Sequence, residues 1–356
     1  MTETFNITQS PFGTLQDGRA VELYTLQNNR GMSVGIITFG GIITSLVCPD
    51  RDGRCEDVVL GFDTLTPYET ESPYFGALIG RVGNRLARGR FELDGQSYQL
   101  ACNENNVSHL HGGECGFDKV LWQAESRVTD DAAELVLRYL SVDGDQGYPG
   151  NLSVEVVYRL TEDNRLFAEY HATTDAPTPV NLTQHSYFNL AGKGDVLNHE
   201  LTLSAKAYTP VNEQLIPTGE IAAVAGTPFD FRQAKSVGDE ITHDDAQLTI
   251  AGGYDHNFVI DQAAAGELTR AARVYEPSSG RVMILHTTEP GVQFYSGNFL
   301  DGSLTGKGRS FAHRSGLCLE PQHFPDAPNQ PNFADITLRP GQEYRSTLCF
   351  SFTTDT

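Results

Sequence analysis

Two side chains in strand-like stretches have the residue types that proton chemistry uses. His185 lies in NLTQHSYFNLAG, residues 181–192, and Glu320 lies in GLCLEPQHF, residues 316–324. Successive side chains of an extended chain point to opposite faces, so His185 shares a polar face with Tyr187. Pro321 disfavours helix at Glu320 and holds that residue extended. By residue type alone, a hydrogen-bonded structural histidine and an exposed acid at a strand end remain open alternatives to a ligand site.

Polar residues also stand among glycines in GRVGNRLARGRF, residues 80–91. Asn84 and Arg85 are candidates for ligand contacts there, because glycine permits close approach of the backbone to a ligand. Four arginines lie close together in the same stretch, which leaves a phosphate site open. The stretch lacks the GxxxxGK[ST] loop of a phosphate cradle, however. A neutral ligand and solvated surface arginines are the other two interpretations.

Three further segments carry polar side chains at suggestive spacing. His109 and His111 share a face of NVSHLHGG, residues 106–113, if that stretch is extended. Such a pair can bind a metal, but the sequence indicates no third ligand. Asp255 lies on the polar face of GGYDHNFVI, residues 252–260, and Gln293 aligns with Tyr295 in VQFYSGN.

The elements that must position these side chains are predicted to be strands. RFELDGQSYQL, residues 90–100, sets two alternating runs around Asp94-Gly95, a strong hairpin signal. Residues 152–174 and 281–298 repeat the pattern around polar turns, and residues 132–140 favour a strand. Helical periodicity is scarce. We therefore expect an all-β protein, most simply a large antiparallel β-sandwich.

Length and composition limit the class of protein. The chain has 356 residues and no visible linker, which predicts a single domain over residues 1–356. Its net charge of -21 argues against nucleic acid or an anionic membrane as a partner. The N-terminus has no secretory pattern and no apolar run approaches about 18 residues, so we expect a cytoplasmic protein. The six cysteines lack CxxC spacing and are interpreted as packing residues in a reducing compartment.

Taken together, several motifs resemble the aldose 1-epimerase, or galactose mutarotase, family. They are HLHGG followed by GFDKVLW, then DGDQGYPG, NLTQHSYFNL, YDHNF, VQFYSGN and LEPQHFPDAPNQPNF. They occur in the family's order over about residues 80–333. The resemblance implies a galactose mutarotase-like supersandwich that interconverts the α- and β-anomers of free aldohexoses such as D-galactose and D-glucose. It also implies that no cofactor or metal is needed and that the partner is a sugar, with a monomer or a homodimer both open.

The same resemblance assigns roles to residues. It makes His185 the general acid and Glu320 the general base. The residues that it implies hold the sugar's hydroxyls are Asn84, Arg85, His111, Tyr187, Asp255 and Gln293.

The chemistry agrees with this assignment. Opening an aldose ring requires a proton on the ring oxygen and removal of one from the C1 hydroxyl. A histidine and a carboxylate can supply both steps, each typically giving about 10²–10⁴ in rate. Nearby carboxylates are expected to favour the charged form of His185. Three alternatives remain: a non-catalytic carbohydrate-binding sandwich, a hexose-6-phosphate epimerase using the arginines of residues 81–90, and a metal-dependent isomerase using His109 and His111.

Overall fold

Strands supply almost all of the regular structure in the computed structural model, which describes residues 5–355. The strands, in chain order, are β1 (Phe5–Thr14), β2 (Ala20–Asn28), β3 (Ser33–Ile37), β4 (Ile43–Pro49), β5 (Cys55–Asp57), β6 (Leu78–Ile79), β7 (Arg85–Ala87), β8 (Arg90–Leu93), β9 (Gln96–Gln99), β10 (Ser108–Leu110), β11 (Gln123–Val128), β12 (Ala132–Ser141), β13 (Leu152–Thr161), β14 (Arg165–Thr174), β15 (Thr178–Pro179), β16 (Thr183–Gln184), β17 (Tyr187–Phe188), β18 (Glu200–Leu203), β19 (Ala205–Thr209), β20 (Ala222–Ala223), β21 (Lys235–Ser236), β22 (Asp255–Ile260), β23 (Thr269–Tyr275), β24 (Arg281–Thr287), β25 (Gly291–Tyr295), β26 (Thr305–Gly306), β27 (Arg309–Ser310), β28 (Leu317–Gln322), β29 (Thr337–Leu338) and β30 (Tyr344–Thr354). The helices are α1 (Leu65–Thr70) and α2 (Ala246–Ala251), with 3₁₀ turns at Phe117–Lys119, Asp145–Gly147 and Ala327–Asn329.

Three large antiparallel sheets form the framework. The first is a meander in the order β1-β2-β3-β4-β5, and the second has nine strands in the order β11-β12-β13-β14-β30-β24-β23-β18-β21. The third has six strands in the order β17-β28-β25-β22-β19-β20. The predicted all-β, antiparallel class is confirmed.

The core lies between the nine-stranded and six-stranded sheets. In β13, alternate residues such as Leu152, Val154 and Val156 are buried, as expected of a strand with one face on the core. Phe188 of β17 contacts Phe350 of β30 with ring centroids 4.9 Å apart, which joins the two sheets. Each fully buried side chain of this kind contributes roughly 1.5–3 kcal/mol to stability. The strands that carry the candidate site residues are thus held in place by apolar packing on their opposite face.

Local hairpin signals were predicted correctly where the strands are sequential neighbours. β8 pairs with β9, and Leu93 lies opposite Gln96 across the predicted turn. Asp94 and Gly95 both have positive φ, at 51° and 79°, as a two-residue primed turn requires. β13 pairs with β14, and residues 132–140 form most of β12.

The predicted hairpin at residues 281–298 is wrong. β24 pairs with β23 and β30 in the nine-stranded sheet, whereas β25 pairs with β22 and β28 in the six-stranded sheet. The turn at residues 289–291 is therefore a crossover between sheets. Both strands are mostly buried, so their alternation could not indicate which neighbour each would pair with.

Residues 181–192 do not form one continuous strand. Only the short strands β16 and β17 are regular, and His185 lies between them. The His185 backbone is nevertheless fixed, because its N–H donates to the Ala77 carbonyl and its carbonyl accepts from Gly76 N–H, at 2.9 and 3.0 Å. Phe188, which follows Tyr187 in β17, lies in the hydrophobic core.

The cysteine prediction is only partly correct. Cys48, Cys318 and Cys349 are buried, but Cys55 and Cys115 are exposed, and all six are free thiols. Within residues 5–355, no helix is both long enough and apolar enough to cross a membrane.

Candidate active site

A cavity of about 360 Å³ opens beside β28 and β22. This volume is in the range of small-molecule sites. Seven of the eight predicted site residues line it, namely Asn84, Arg85, His111, His185, Tyr187, Asp255 and Glu320. They come from five separate stretches of the chain, which the fold brings together.

His185 and Glu320 face each other in this cavity. His185 Nε2 lies 3.4 Å from Glu320 Oε2, and the two side chains are only 6% and 3% exposed. Glu320 Oε2 has no hydrogen-bond partner among the described residues. A buried carboxylate oxygen without a donor is unusual and marks a position where a ligand hydroxyl can bind. Glu320 lies inside β28 rather than at an exposed strand end.

Aromatic rings enclose the histidine. The Tyr187 ring stacks on His185 with centroids 5.2 Å apart, and the Tyr74 ring lies 5.7 Å away on a backbone with positive φ. His185 Nδ1 lies 3.7 Å from Cys318 Sγ. These contacts bury the imidazole, whose Nε2 lies on the side of Glu320.

Burial sets the protonation of this pair. It lowers the pKa of His185 to about 4. Burial, together with the charge of Asp255, raises the pKa of Glu320 well above its usual value, although Arg85 opposes the shift. The expectation that carboxylates would favour charged His185 is therefore wrong, because desolvation outweighs their attraction.

Arg85 is held by two carboxylates. Its Nε and Nη2 donate to Glu104 at 2.8 and 2.7 Å, and Nη1 lies 3.8 Å from Asp255 Oδ2. Arg85 is buried and Glu104 also lines the cavity. Glu104 was not among the predicted site residues, because nothing in the sequence of the loop between β9 and β10 indicates that this side chain reaches Arg85.

Gln293 lies behind Asp255 and is not among the residues that line the cavity. Its Nε2 donates to Asp255 Oδ1 at 2.7 Å, and its Oε1 accepts from Gln322 Nε2 at 3.2 Å. Burial raises the pKa of Asp255 despite the nearby Arg85. The placement of Gln293 orients the Asp255 carboxylate, and Tyr295 of the same strand reaches the cavity instead.

His111 turns into the cavity while His109 does not. β10 ends at Leu110, and His111 has φ 51°, so the two histidines do not share the predicted extended face. His109 instead contacts the Tyr148 hydroxyl at 2.7 Å. His111 Nδ1 accepts from Asn84 N–H at 3.1 Å. A Cβ at the following Gly112 would lie 1.8 Å from a carbonyl oxygen, which explains the glycine of this motif.

The side chains that come close enough to share a metal ion are not the pair His109 and His111 that the sequence suggested. His111, His185 and Glu320 can each offer one ligand atom, and these atoms lie within 4.8 Å of one another. Two histidines and a carboxylate form a known zinc ligand set. His111 Nδ1 accepts from Asn84 N–H, so the proton of the neutral ring lies on Nε2, and this nitrogen is a hydrogen-bond donor with no lone pair for a metal. The trio therefore fits a hydroxyl-bearing ligand better than a metal ion.

The cavity mouth is formed by residues that the sequence analysis did not select. Tyr295 stacks on Phe299, with ring centroids 5.8 Å apart, and Phe299 is 65% exposed. Leu300, Asp301 and Leu304 complete this wall, opposite Tyr74. Phe299 directly follows Ser296-Gly297-Asn298, and a single aromatic residue after such a turn-forming segment has no distinctive spacing, so the sequence did not indicate it.

Residues 22–351 match the model of the family described as aldose 1-epimerase. The chain belongs to the aldose 1-epimerase family. The galactose mutarotases of Bos taurus and Homo sapiens are each 48% identical to it over 351 residues, which is 98% of this chain and 98% of each relative. The aldose 1-epimerase of Escherichia coli (strain K12) is 42% identical over 339 residues, or 94% of this chain and 96% of the relative.

Solved structures of aldose 1-epimerase family members share the fold. The galactose 1-epimerase of Lactobacillus acidophilus NCFM superposes with a TM-score of 0.87 at 27% identity, covering 99% of this chain and 100% of the other. An aldose epimerase homologue from C. elegans gives a TM-score of 0.84 at 29% identity, covering 92% and 97%. The family resemblance and the supersandwich predicted from the motifs are confirmed.

Proposed function

We propose that this protein is an aldose 1-epimerase that interconverts the α- and β-anomers of free aldohexoses such as D-galactose and D-glucose. His185 is the general acid and Glu320 the general base. The observation that carries the proposal is the buried contact of 3.4 Å between these two side chains in a polar cavity, in a chain that is 48% identical to galactose mutarotases.

The reaction needs only proton transfers. Glu320 takes the proton of the C1 hydroxyl while His185 gives a proton to the ring oxygen, and the bond between C1 and the ring oxygen breaks. The resulting aldehyde rotates about the bond between C1 and C2. Ring closure on the other face of the carbonyl returns both protons, with His185 as base and Glu320 as acid. No C–H bond changes.

A bound sugar supplies a hydrogen-bond partner for Glu320 Oε2, which has none among the described protein residues. A C1 hydroxyl that donates to Glu320 Oε2 satisfies the buried oxygen without a partner and favours the charged carboxylate. Arg85 and Asp255 present charged hydrogen-bond groups to the remaining hydroxyls, and Gln293 orients Asp255. The Tyr187 hydroxyl already donates to the Pro73 carbonyl at 3.1 Å, so it is left to accept from the sugar.

Asn84 and His111 complete the proposed sugar-binding set. They are tied together by backbone and ring hydrogen bonds of 3.0 and 3.1 Å, and both line the cavity. This rigid pair holds its side chains ready for ligand hydroxyls, which limits the entropy lost on binding.

A phosphorylated sugar fits this cavity poorly. Arg81 is buried and donates to Ser141, Thr178 and nearby carbonyl oxygens, so it serves the fold. Arg88 and Arg90 are exposed and do not line the cavity. Arg85, the arginine that does line it, is already paired with Glu104. A phosphate group would therefore meet carboxylates without a free cation.

The proposal also covers domain organisation, cofactor requirement, oligomeric state and location. One domain over residues 1–356 acts without cofactor or metal, as a monomer or a homodimer, in the cytoplasm. The free cysteines, of which Cys55 and Cys115 are exposed, support a reducing compartment.

Polarimetry of freshly dissolved α-D-galactose tests the function. We expect the protein to accelerate the approach to the equilibrium rotation, with D-glucose also accepted and glucose 6-phosphate poorly. Methyl α-D-galactoside should compete with galactose but never change anomer, because its C1 oxygen has no proton. Binding without acceleration would favour the carbohydrate-binding alternative, and a preference for glucose 6-phosphate would favour the phosphate enzyme.

A further inference from the structure

An ion pair outside the sugar cavity, between the half-buried His323 and the buried Glu289, connects segments that carry the proposed catalytic residues. His323 Nδ1 lies 2.6 Å from Glu289 Oε2, and the Glu289 side chain is only 3% exposed. His323 follows Glu320 by three positions at the end of β28, and Glu289 lies in the crossover between β24 and β25. A buried carboxylate requires a cation or hydrogen-bond donors, so its contact with His323 holds the end of β28 against this crossover.

Both members of the pair are also linked to the segment that precedes His185, His323 directly and Glu289 through Tyr344. Asn181 brackets the His323 backbone, accepting from its N–H at 3.0 Å and donating to its carbonyl at 3.2 Å. The Tyr344 hydroxyl lies 3.4 Å from Glu289 Oε1 and accepts from Leu182 N–H at 3.2 Å. One connected set of hydrogen bonds therefore links residues 181–182 to the end of β28.

We propose that Glu289 and His323 are positioning residues of the epimerase, whose ion pair fixes Glu320 relative to His185. This inference rests on the proposed function. The pair borders a separate cavity of about 390 Å³ and does not line the sugar cavity. It acts through β28, in which Glu320 lies opposite Gln293 of β25. A shift at the end of this strand changes the distance between the acid and the base.

The pair also makes positioning depend on pH. Burial lowers the pKa of His323, but the hydrogen bond and charge of Glu289 raise it by more, so it lies above its usual value. The other titratable or charged groups nearby are Tyr344 and Tyr170, whose pKa values are raised well above the usual one by burial, and Arg345 at the cavity. The ion pair is complete below about pH 6.5 and is lost as pH rises through the raised pKa.

Two single variants and their combination test the inference by polarimetry. His323→Asn and Glu289→Gln keep hydrogen-bonding groups but remove the charge. We expect each to lower kcat by roughly 3- to 10-fold at about pH 7 with little change in KM, as the loss of a charged hydrogen bond that acts only on alignment would. The double variant should be no slower than the singles, because both remove one interaction. In the wild type, kcat should decline above neutral pH as His323 loses its proton. This decline should disappear in both single variants and in the double variant.

His171→Asn is the matched control. It removes a contact of 3.6 Å with Glu343, in which the side chains are 35% and 51% exposed, and it should leave kcat and its pH profile unchanged. Variants that melt at lower temperature but keep the wild-type kcat and pH profile would show that the pair is only structural. An NMR titration of the folded wild-type protein gives a second test, since a His323 pKa at or below about 6.5 would also overturn the inference. A wild-type protein without mutarotation would instead overturn the proposed function.

Discussion

Replacing Glu320 by glutamine should lower activity and raise stability at the same time. The amide keeps the shape of the side chain but cannot accept the C1 proton. Loss of the base should lower kcat by about 10²–10⁴, with a smaller change in KM. This range equals about 2.7–5.4 kcal/mol of transition-state stabilisation.

The gain in stability follows from the environment of the carboxylate. Glu320 is 3% exposed, and one of its oxygens has no partner. Burial disfavours the charged form of this carboxyl, and a neutral amide of the same shape avoids that cost, which we take as about 1–3 kcal/mol. A chain of 356 residues has an unfolding entropy of about 0.75 kcal/mol/K, at about 2.1 cal/mol/K per residue. We therefore expect the variant to melt roughly 1–4 °C above the wild type near pH 8.

The difference in melting temperature should depend on pH with a definite sign. Folding raises the pKa of Glu320 above its ordinary value of 4.5, because the carboxyl is buried. Above that value the native state binds more protons than the unfolded state, so stability of the wild type falls as pH rises. Glutamine does not titrate, and the gap between variant and wild type should widen between about pH 5 and pH 8.

Calorimetry and polarimetry on the same samples check both effects. Glu125→Gln, at a residue whose side chain is 63% exposed, is the control and should change neither quantity. Near-normal turnover of Glu320→Gln would refute its role as base. A gap in melting temperature that stays constant with pH would refute the argument from burial.

Three other outcomes are expected. His185→Asn should lower kcat by about 10² or more with little change in KM in the polarimetric assay, since it removes the acid. Glu104→Gln should release Arg85 from its bidentate contact and raise the KM for galactose by roughly 5- to 30-fold in initial-rate measurements, with a smaller effect on kcat. Dialysis against a chelator should leave kcat unchanged, whereas a loss that zinc restores would assign a metal to the trio of His111, His185 and Glu320.

Features encoded by neighbouring residues could be predicted from the sequence. The turn at Asp94-Gly95 needs positive φ at two consecutive positions, and this residue pair favours it locally. The motif order likewise selected seven residues that line one cavity. The crossover after β24 could not be predicted, because its alternative is a hairpin with the same local pattern. The choice depends on which sheets the two buried strands enter.

Contacts between segments that are distant in the chain could not be predicted from the sequence either. Glu104 pairs with Arg85 only because the loop before β10 folds back over β7, with Leu110 opposite Arg85. Gln293 and Tyr295 share a strand face, yet Tyr295 lines the cavity while Gln293 lies behind Asp255. Alternation predicts the face of a strand, but it does not predict which residues on that face other side chains will cover.

The protonation of the pair is decided by the sugar more than by pH. Catalysis requires charged His185 and charged Glu320, whereas burial favours both neutral forms. These two arrangements hold the same number of protons, so changing pH cannot convert one into the other. Lowering the pKa of His185 from 6.5 to about 4 corresponds to about 3 kcal/mol against its charged form. A hydrogen bond from the C1 hydroxyl of the sugar to Glu320 must offset this free-energy cost. Ligands without a C1 hydroxyl should therefore bind but leave the proton on Glu320.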